Sequence, residues 1–311
     1  MMAPAAAAVP LLFSSGNHEQ AWLRGVGSPD GAAPISDFWS TATNPANSIS
    51  SGGECGLAFK LLPSGGSTPA APWYSFAVGL VTVVVWSSEH NVSVGSPQHR
   101  WLEATLAAVD RSVTPWVLST AHRSMYVDSA SASTAWGSDL GVQSYLREAV
   151  EPLFARYSVD VHFSGHTHVT QRHCAAAAGA CVANATVAAD GAALYSAPGA
   201  TVYYSFGSAG ANADTGRSGA PFTLWAAPAT SPFGYGLLTI VSSTVLEMRI
   251  IDPLSGAVID FSRITRAPGA GASAAAASGA QVAAIAAVVL AVSLVGVRWF
   301  IGTPQKGALL P

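Results

Sequence analysis

Three short apolar stretches of this chain are each followed by a turn that carries histidine. The turns read Gly16-Asn17-His18-Glu19, Ala121-His122-Arg123 and Gly165-His166-Thr167-His168, and they follow apolar residues 9–13, 116–118 and 159–163. Short apolar runs bounded by turn residues are typical of buried strands. Because ligands of α/β proteins gather at the carboxyl ends of strands, we expect the three turns to converge on one cleft.

The pair His166 and His168 indicates what that cleft binds. Side chains two residues apart at the end of a strand can point to the same side. Neutral imidazole is a common nitrogen ligand of zinc and iron. A His-x-His pair also arises by chance in a chain with 8 histidines. The prediction of a metal site therefore depends on the histidine turns at Asn17-His18 and His122 as well.

Strand and helix patterns alternate along the middle of the chain. Residues rich in β-branched and aromatic types predict a hairpin of strands 74–78 and 81–86. Apolar residues at helical spacing predict helices over 98–110 and 141–157, the second kinked or divided at Pro152. This alternation predicts βαβ units within a mixed sheet, an α/β fold. We interpret His90, beyond the hairpin, as a loop histidine, with contact to a substrate as the alternative.

The last third of the chain combines strand patterns with one long apolar stretch. Strands are predicted at 236–241, 245–251 and 257–264, and the Gly, Ala and Ser content of residues 267–279 predicts a flexible linker there. Residues 282–301 carry Arg298 as their only charge. About twenty such residues suffice to cross a hydrocarbon core. We therefore predict a single-pass transmembrane helix over residues 280–302, followed by a short tail at 303–311.

The composition supports the membrane prediction and argues against one class of partner. Only 10% of the residues are charged and the mean hydropathy is +0.36, whereas typical globular domains carry about 25% charged residues. A lipid-anchor signal is the alternative explanation of the apolar stretch. Either attachment would place the rest of the chain outside the cell or in a lumen. The net charge of −3 leaves no basic stripe, so we expect no nucleic-acid partner.

The three histidine turns, in this order, resemble the purple acid phosphatases, which are members of the calcineurin-like metallophosphoesterases. The same order and approximate spacing extend to six further segments: Ser51-Gly52-Gly53-Glu54-Cys55-Gly56, residues 74–86, Gly95-Ser96-Pro97-Gln98, Trp101-Leu102-Glu103, Val109-Asp110-Arg111 and residues 147–165. The resemblance covers about residues 9–263 and implies part of a four-layer α-β-β-α metallophosphoesterase sandwich. Residues 1–182 would be the C-terminal portion of the catalytic domain, and residues 183–266 the family's C-terminal region.

The resemblance also implies a role for individual residues of the turns. Asn17, His122 and His166 would ligate a divalent ion, which is zinc, manganese or iron(II), and His168 would ligate iron(III). His18 would contact the substrate phosphate and protonate or stabilise the leaving group, while Glu19 and Arg123 would support the ligands from behind. The reaction implied by this dinuclear centre is hydrolysis of a phosphate monoester by an activated hydroxide.

Two upstream motifs of the family, Gly-Asp and Gly-Asp-x-x-Tyr, have no counterpart in this sequence, because no Gly-Asp dipeptide occurs in it. Asp30, Asp37, Asp128 and Asp139 lie downstream in polar, loop-like contexts, and we do not expect them to substitute. We therefore expect the C-terminal portion of an acid phosphatase whose N-terminal part is missing. The alternative is a catalytically inactive, membrane-tethered ectodomain that binds metal or phosphate.

Cys174 and Cys181 frame a short loop just after the His-x-His pair, where the family commonly forms a disulfide. We expect that disulfide rather than free thiols, and with it an oxidising compartment. Asn91 and Asn184 begin acceptor patterns for N-linked glycosylation, which agree with such a compartment but are common by chance.

Overall fold

A computed structural model of the chain describes residues 14–16, 71–130, 139–208, 213–214 and 216–267, together with the backbone of residues 287–293 and 296–302. The strand expected at residues 9–13 and the predicted site residues Asn17, His18 and Glu19 lie outside the described residues. So do Asp30 and Asp37.

The described helices and strands follow the alternation that the sequence predicts over the middle of the chain. In chain order they are β1 (Tyr74–Val78), β2 (Val81–Val85), α1 (Pro97–Ala107), β3 (Trp116–Thr120), α2 (Asp139–Ala149), α3 (Glu151–Arg156), β4 (Val161–Ser164), β5 (Thr170–Ala177), β6 (Ala180–Ala183), β7 (Thr186–Val187), β8 (Ala193–Ser196), β9 (Thr201–Phe206), β10 (Thr223–Ala226), β11 (Tyr235–Ile240), β12 (Val245–Ile251), β13 (Val258–Thr265), β14 (Ala287–Ser293) and β15 (Gly296–Gly302).

Local sequence explains where several of these elements begin and end. Gly79 has a φ of +55° and turns the chain between β1 and β2, which form the predicted antiparallel hairpin. The side chain of Ser96 accepts a hydrogen bond from the backbone N–H of His99 and caps α1, whose first residue is proline. The helix predicted over residues 141–157 is divided into α2 and α3, with Pro152 in the first turn of α3, as the sequence predicts.

The first sheet is mixed and has eight strands in the order β1-β2-β3-β4-β9-β5-β10, with β6 paired to β5. The four central strands β2, β3, β4 and β9 are parallel to one another, and β1, β5, β6 and β10 are added antiparallel. The second sheet has seven strands in the order β15-β14-β11-β12-β13-β8-β7 and is antiparallel except for the pair β13 and β8. The predicted α/β class and mixed sheet are therefore confirmed.

Alternate residues of the central strands face opposite sides of the first sheet. Val83, Val85 and Phe163 pack in one core with Leu246 and Met248 of the second sheet. On the opposite face a second core joins the strands to the helices, and it includes Val84, Trp86, Val117, Leu102, Leu146 and Phe154. The described elements thus form three layers of the expected four-layer sandwich: helices, sheet and sheet. A helix layer over the outer face of the second sheet is not among the described elements.

A buried ion pair also joins the two sheets. Nε and one terminal nitrogen of Arg172, on β5, donate to the two carboxylate oxygens of Asp260, on β13, over 2.7 and 2.9 Å. Both side chains are 7% exposed. Because both ends of the carboxylate are engaged, this pair fixes the position of β13 relative to β5.

The described residues within 280–302 do not form the predicted transmembrane helix. The backbone forms β14 and β15, and β14 pairs with β11, with Val289 opposite Leu237. Nowhere in the described ranges is there a helix long and apolar enough to cross a membrane. Valine and isoleucine are frequent in this stretch and favour strands, and β11 offers backbone groups for pairing. Attachment to a membrane and a lumenal or extracellular location stay predictions.

Candidate functional site

Two of the three histidine turns lie in the described part of the chain, and they meet because the central strands are parallel and end at one edge of the first sheet. Residues 121–124 follow β3 and residues 165–168 follow β4 at that edge. Backbone hydrogen bonds hold these two turns together, from Gly165 N–H to the His122 carbonyl over 2.8 Å and from Ala121 N–H to the Phe163 carbonyl over 3.2 Å. Ser14, Ser15 and Gly16, which directly precede Asn17, are buried.

His122 and His166 lie in direct contact at this edge. Nε2 of His122 and Nδ1 of His166 are 3.0 Å apart, and the two rings meet edge to face with centroids 5.0 Å apart. His122 is 6% exposed and His166 is partly buried. His166 has a φ of +62°, a left-handed conformation that is rare for a residue with a side chain and clusters at functional sites. The turn is therefore held in one specific shape that brings the imidazole to its partner.

The donor atoms of this pair fit two positions around one metal ion. Nitrogen ligands bind zinc at about 2.1 Å, so two nitrogens on one tetrahedral ion are separated by about 3.4 Å. The separation of 3.0 Å in the structure is a few tenths of an ångström shorter, so a small movement of either ring would place both nitrogens on one ion. Within the described ranges no three His, Cys, Asp or Glu side chains are grouped as a metal site. Further donors, among them the predicted ligand Asn17, would have to come from outside those ranges.

His168, the predicted ligand of iron(III), lies two residues beyond His166 and does not join the His122–His166 pair in a three-residue ligand group. Its backbone carbonyl accepts a hydrogen bond from the N–H of Asp214 over 2.9 Å. Gly207, at the end of β9, packs against the turn between the two histidines. A Cβ atom on Gly207 would lie 1.8 Å from the Thr167 carbonyl oxygen, so only glycine allows this approach.

Arg123 connects His166 to a buried carboxylate. Nε and one terminal nitrogen of Arg123 donate to the two oxygens of Glu89 over 2.8 and 3.1 Å, and both side chains are 3% exposed. The other terminal nitrogen lies 3.2 Å from Nε2 of His166. A guanidinium can only donate, so the polarity of this contact depends on which ring nitrogen of His166 carries the proton, and the contact places Arg123 directly beside the ring. Arg123 thus contacts both His166 and Glu89, while its supporting role toward a metal ligand stays a prediction.

Sequence reasoning missed Glu89. The signal was present, because Ser87-Ser88-Glu89-His90 follows β2 as the other histidine turns follow their strands. Ser88 strengthens the connection: its hydroxyl donates to Glu89 Oε1 over 3.1 Å and accepts the N–H of Arg123 over 2.8 Å. The turn after β2 therefore supports the turn after β3 from behind.

His90 lies in the loop after β2, as predicted, but it is buried, with 3% of its surface exposed. Its Nδ1 is 2.8 Å from the Ser87 hydroxyl, and its ring meets Trp73 edge to face. Burial lowers the pKa of His90 to about 4, and the charge of Glu89 only partly opposes this. The ring is therefore neutral near pH 7 and helps to hold the loop.

The remaining predicted residues lie away from the histidine pair. Cys174 and Cys181 are disulfide-bonded, with Cα atoms 5.7 Å apart on the adjacent strands β5 and β6. Asn91 and Asn184 are exposed, so both acceptor patterns are accessible. Asp128 is buried and accepts from Ser218 through the backbone N–H and the hydroxyl, over 2.6 and 2.7 Å. Its carboxylate therefore fastens a loop.

Comparison with known proteins places this geometry among phosphoesterases. The model of the family described as calcineurin-like phosphoesterase matches residues 1–170, which include both histidine turns of the described site. In yellow lupin (Lupinus luteus), the structure of the purple acid phosphatase PPD1 superposes with a TM-score of 0.61 at 24% identity, over 81% of this chain and 40% of that chain. At this identity the superposition shows the fold alone.

Three curated relatives bear names that differ in activity. The chain is 28% identical over 270 residues to a barley (Hordeum vulgare) nucleotide pyrophosphatase/phosphodiesterase, covering 85% of this chain and 65% of the relative. It is 29% identical over 265 residues to the Arabidopsis thaliana probable inactive purple acid phosphatase 27, covering 85% and 39%. The Fe(3+)-Zn(2+) purple acid phosphatase 12 of Arabidopsis thaliana is 26% identical over 163 residues, covering 52% and 29%. The chain spans less than two thirds of each relative.

Proposed function

Because the chain belongs to the calcineurin-like phosphoesterase family, we propose that it is a metal-dependent phosphatase of the purple acid type that hydrolyses phosphate monoesters. The observation that carries the proposal is the separation of 3.0 Å between Nε2 of His122 and Nδ1 of His166, at the edge where the parallel strands end. Two neutral imidazoles at this spacing suit one divalent ion.

In this proposal each residue of the turns has a stated task. His122 and His166 hold one ion together with Asn17, and His168 contributes to a second position. His18 binds the substrate phosphate and delivers a proton to the leaving oxygen, a task suited to a side chain that titrates near neutral pH. When bound, a pair of such ions supplies Lewis-acid stabilisation of the phosphoryl oxygens and an acidic water. The name of the Arabidopsis relative, Fe(3+)-Zn(2+) purple acid phosphatase 12, supports iron(III) paired with zinc, and manganese or iron(II) are the alternatives for the divalent ion.

Glu89 and Arg123 complete the proposed centre without touching the ions. The carboxylate balances the guanidinium charge beside His166, which would otherwise repel a metal cation at short range. Partners of metal-binding histidines typically change metal affinity by about 10–100-fold when they are replaced. The described part of the site is therefore suited electrostatically to a cation.

The first experiment tests metal binding and hydrolysis with the full chain. Zinc, manganese and iron would be titrated into metal-free protein, and rates would be measured with 4-nitrophenyl phosphate and bis(4-nitrophenyl) phosphate. The diester is included because the barley relative is named as a phosphodiesterase. We expect faster cleavage of the monoester by the metal-loaded chain. Preference for the diester would contradict the proposed substrate class.

Matched histidine variants identify the site. His166→Ala removes one imidazole of the pair, whereas His99→Gln removes a buried histidine on α1. We expect His166→Ala to lower metal affinity and rate by at least about 100-fold, and His99→Gln to change neither. Equal metal binding by the wild-type chain and His166→Ala would exclude this pair as the centre.

A further inference from the structure

We propose that the fold carries a second binding site, for a small organic monoanion, at the edge of the first sheet opposite the histidine turns. A cavity of about 260 Å³ lies where β4 and β9 begin. It is lined by Arg266 and Asp160, and by the apolar residues Phe154, Val159, Pro198 and Ile264. Because parallel strands have their two ends at opposite edges, this cavity is separate from the metal-binding edge.

Arg266 supplies the recognition group. One terminal nitrogen of its guanidinium is buried and has no hydrogen-bond partner among the described residues. The guanidinium lies over the ring of Trp116, with its central carbon 5.6 Å from the ring centroid. The backbone N–H of Arg266 donates to the Thr244 carbonyl over 3.1 Å. A buried donor without a partner is costly, so a small shift of this guanidinium toward an acceptor in the cavity that Arg266 lines is favourable.

Asp160, the other charged residue of the lining, is already paired with Arg111, which lies outside the lining. Asp160 Oδ2 accepts from Arg111 over 2.6 Å and from the N–H of Val117 over 2.8 Å. The same Arg111 also donates to the carbonyls of Pro115 and Tyr157. Because Asp160 is paired with Arg111, the charge of Arg266 is not balanced by a carboxylate of the lining.

Charge and shape together select the class of ligand. Arg266 and Asp160 of the lining, together with the Arg111 that is paired with Asp160 outside it, leave a net charge of one positive unit, which matches a monoanion. A phosphate dianion would face the Asp160 carboxylate with only one surplus cation, so it fits less well. The apolar wall suits a carboxylate attached to a compact hydrocarbon or aromatic body. The volume is near the lower end for small-molecule sites, so the ligand is small.

The test uses benzoate as the probe, with benzamide as its neutral isostere and inorganic phosphate as the dianion. Nitrogen-15 NMR of the full chain would follow the side-chain N–H signal of Arg266 and the backbone signals of residues 197–200. A ligand of about nine heavy atoms with one ion pair is expected to bind with a Kd on the order of 1 mM. We expect benzoate to shift these signals, benzamide not to shift them, and phosphate to bind at least about tenfold more weakly.

Two variants and a control make the outcome decisive. Arg266→Met keeps an apolar side chain over Trp116 but removes the charge, and Ala200→Leu fills the cavity while it leaves Arg266 in place. Arg249→Met removes another arginine that lies over an aromatic ring, that of Phe261, away from the cavity. Loss of benzoate binding in the first two variants but not in the third is expected. Unchanged binding in Ala200→Leu, equal binding of benzamide, or no shift with benzoate would overturn the proposal.

Discussion

Replacement of Gly207 by alanine is expected to displace the turn that carries His166 and His168. The added Cβ would lie 1.8 Å from the Thr167 carbonyl oxygen and 2.7 Å from its carbon, whereas ordinary contact begins at 3.4 Å. The obstacle is backbone rather than a flexible side chain, so the turn or the end of β9 has to move by about 1.6 Å. Overpacking of this kind costs about 1–3 kcal/mol of stability.

The consequence for the site is larger than the consequence for stability. A misplacement of about 1 Å can lower a rate by about 100-fold, because ligand and substrate geometry are lost together. We therefore expect Gly207→Ala to lower metal affinity and the rate of phosphate ester hydrolysis by that order, measured by metal titration and steady-state kinetics. The free energy of unfolding, measured by urea denaturation, should fall by only about 1–3 kcal/mol, the cost of overpacking.

Gly191→Ala is the matched control. Gly191 has a φ of +82° with open space around a Cβ, so alanine there strains the backbone by about 1–2 kcal/mol without contacting another group. This variant should lose similar stability but keep metal affinity and rate. If Gly207→Ala bound metal and hydrolysed substrate like Gly191→Ala, the close approach of β9 to the turn would not control the site.

Three further perturbations test the described structure. His162 is fully buried, and burial lowers its pKa to about 3. Because the unfolded chain binds more protons than the folded chain in this range, the free energy of unfolding should fall as the pH is lowered from 6.5 to 3. His162→Phe should reduce this pH dependence, measured by urea denaturation at several pH values. Cys181→Ser removes the disulfide that closes a loop with a sequence separation of 7 residues, and it should lower the free energy of unfolding by about 2 kcal/mol. The wild-type chain in reductant should lose the same stability. An unchanged melting temperature would contradict this prediction. Asp260→Ala leaves Arg172 buried without its carboxylate and should cost about 3–5 kcal/mol, whereas a loss below 1 kcal/mol would mean that water replaces the ion pair.

Short stretches of the sequence were sufficient to predict much of the central fold. The β-branched and aromatic residues of β1 and β2, the helical spacing in α1 and the proline that separates α2 from α3 are signals within short windows, and the structure agrees with each. The histidine turns after β3 and β4 were equally readable, because parallel strands bring their carboxyl ends to one edge. This rule alone predicts that His122 and His166 lie close together, because the sequence itself shows no contact between them.

Other features depended on partners far away in the chain. Strands β8 and β9 lie in a stretch for which no strand is predicted from the sequence, yet β9 is inserted between β4 and β5 in the first sheet. The residues of β9, Thr-Val-Tyr-Tyr-Ser-Phe, are good strand formers, but the Gly- and Ala-rich surroundings obscured them. Residues 287–293 and 296–302 show a different error, because a long apolar run does not by itself distinguish a membrane helix from paired strands.

The sequence by itself determined the chemistry at the edge of the first sheet, because histidine, glycine and apolar periodicity are local properties of the chain. Tertiary structure decided how that chemistry is held. Glu89 and Arg123 are 34 residues apart and become a buried ion pair only when β2 and β3 lie side by side. Pairing partners and buried charges depend on which surfaces exclude water together, and that is a property of the packed chain rather than of any short segment.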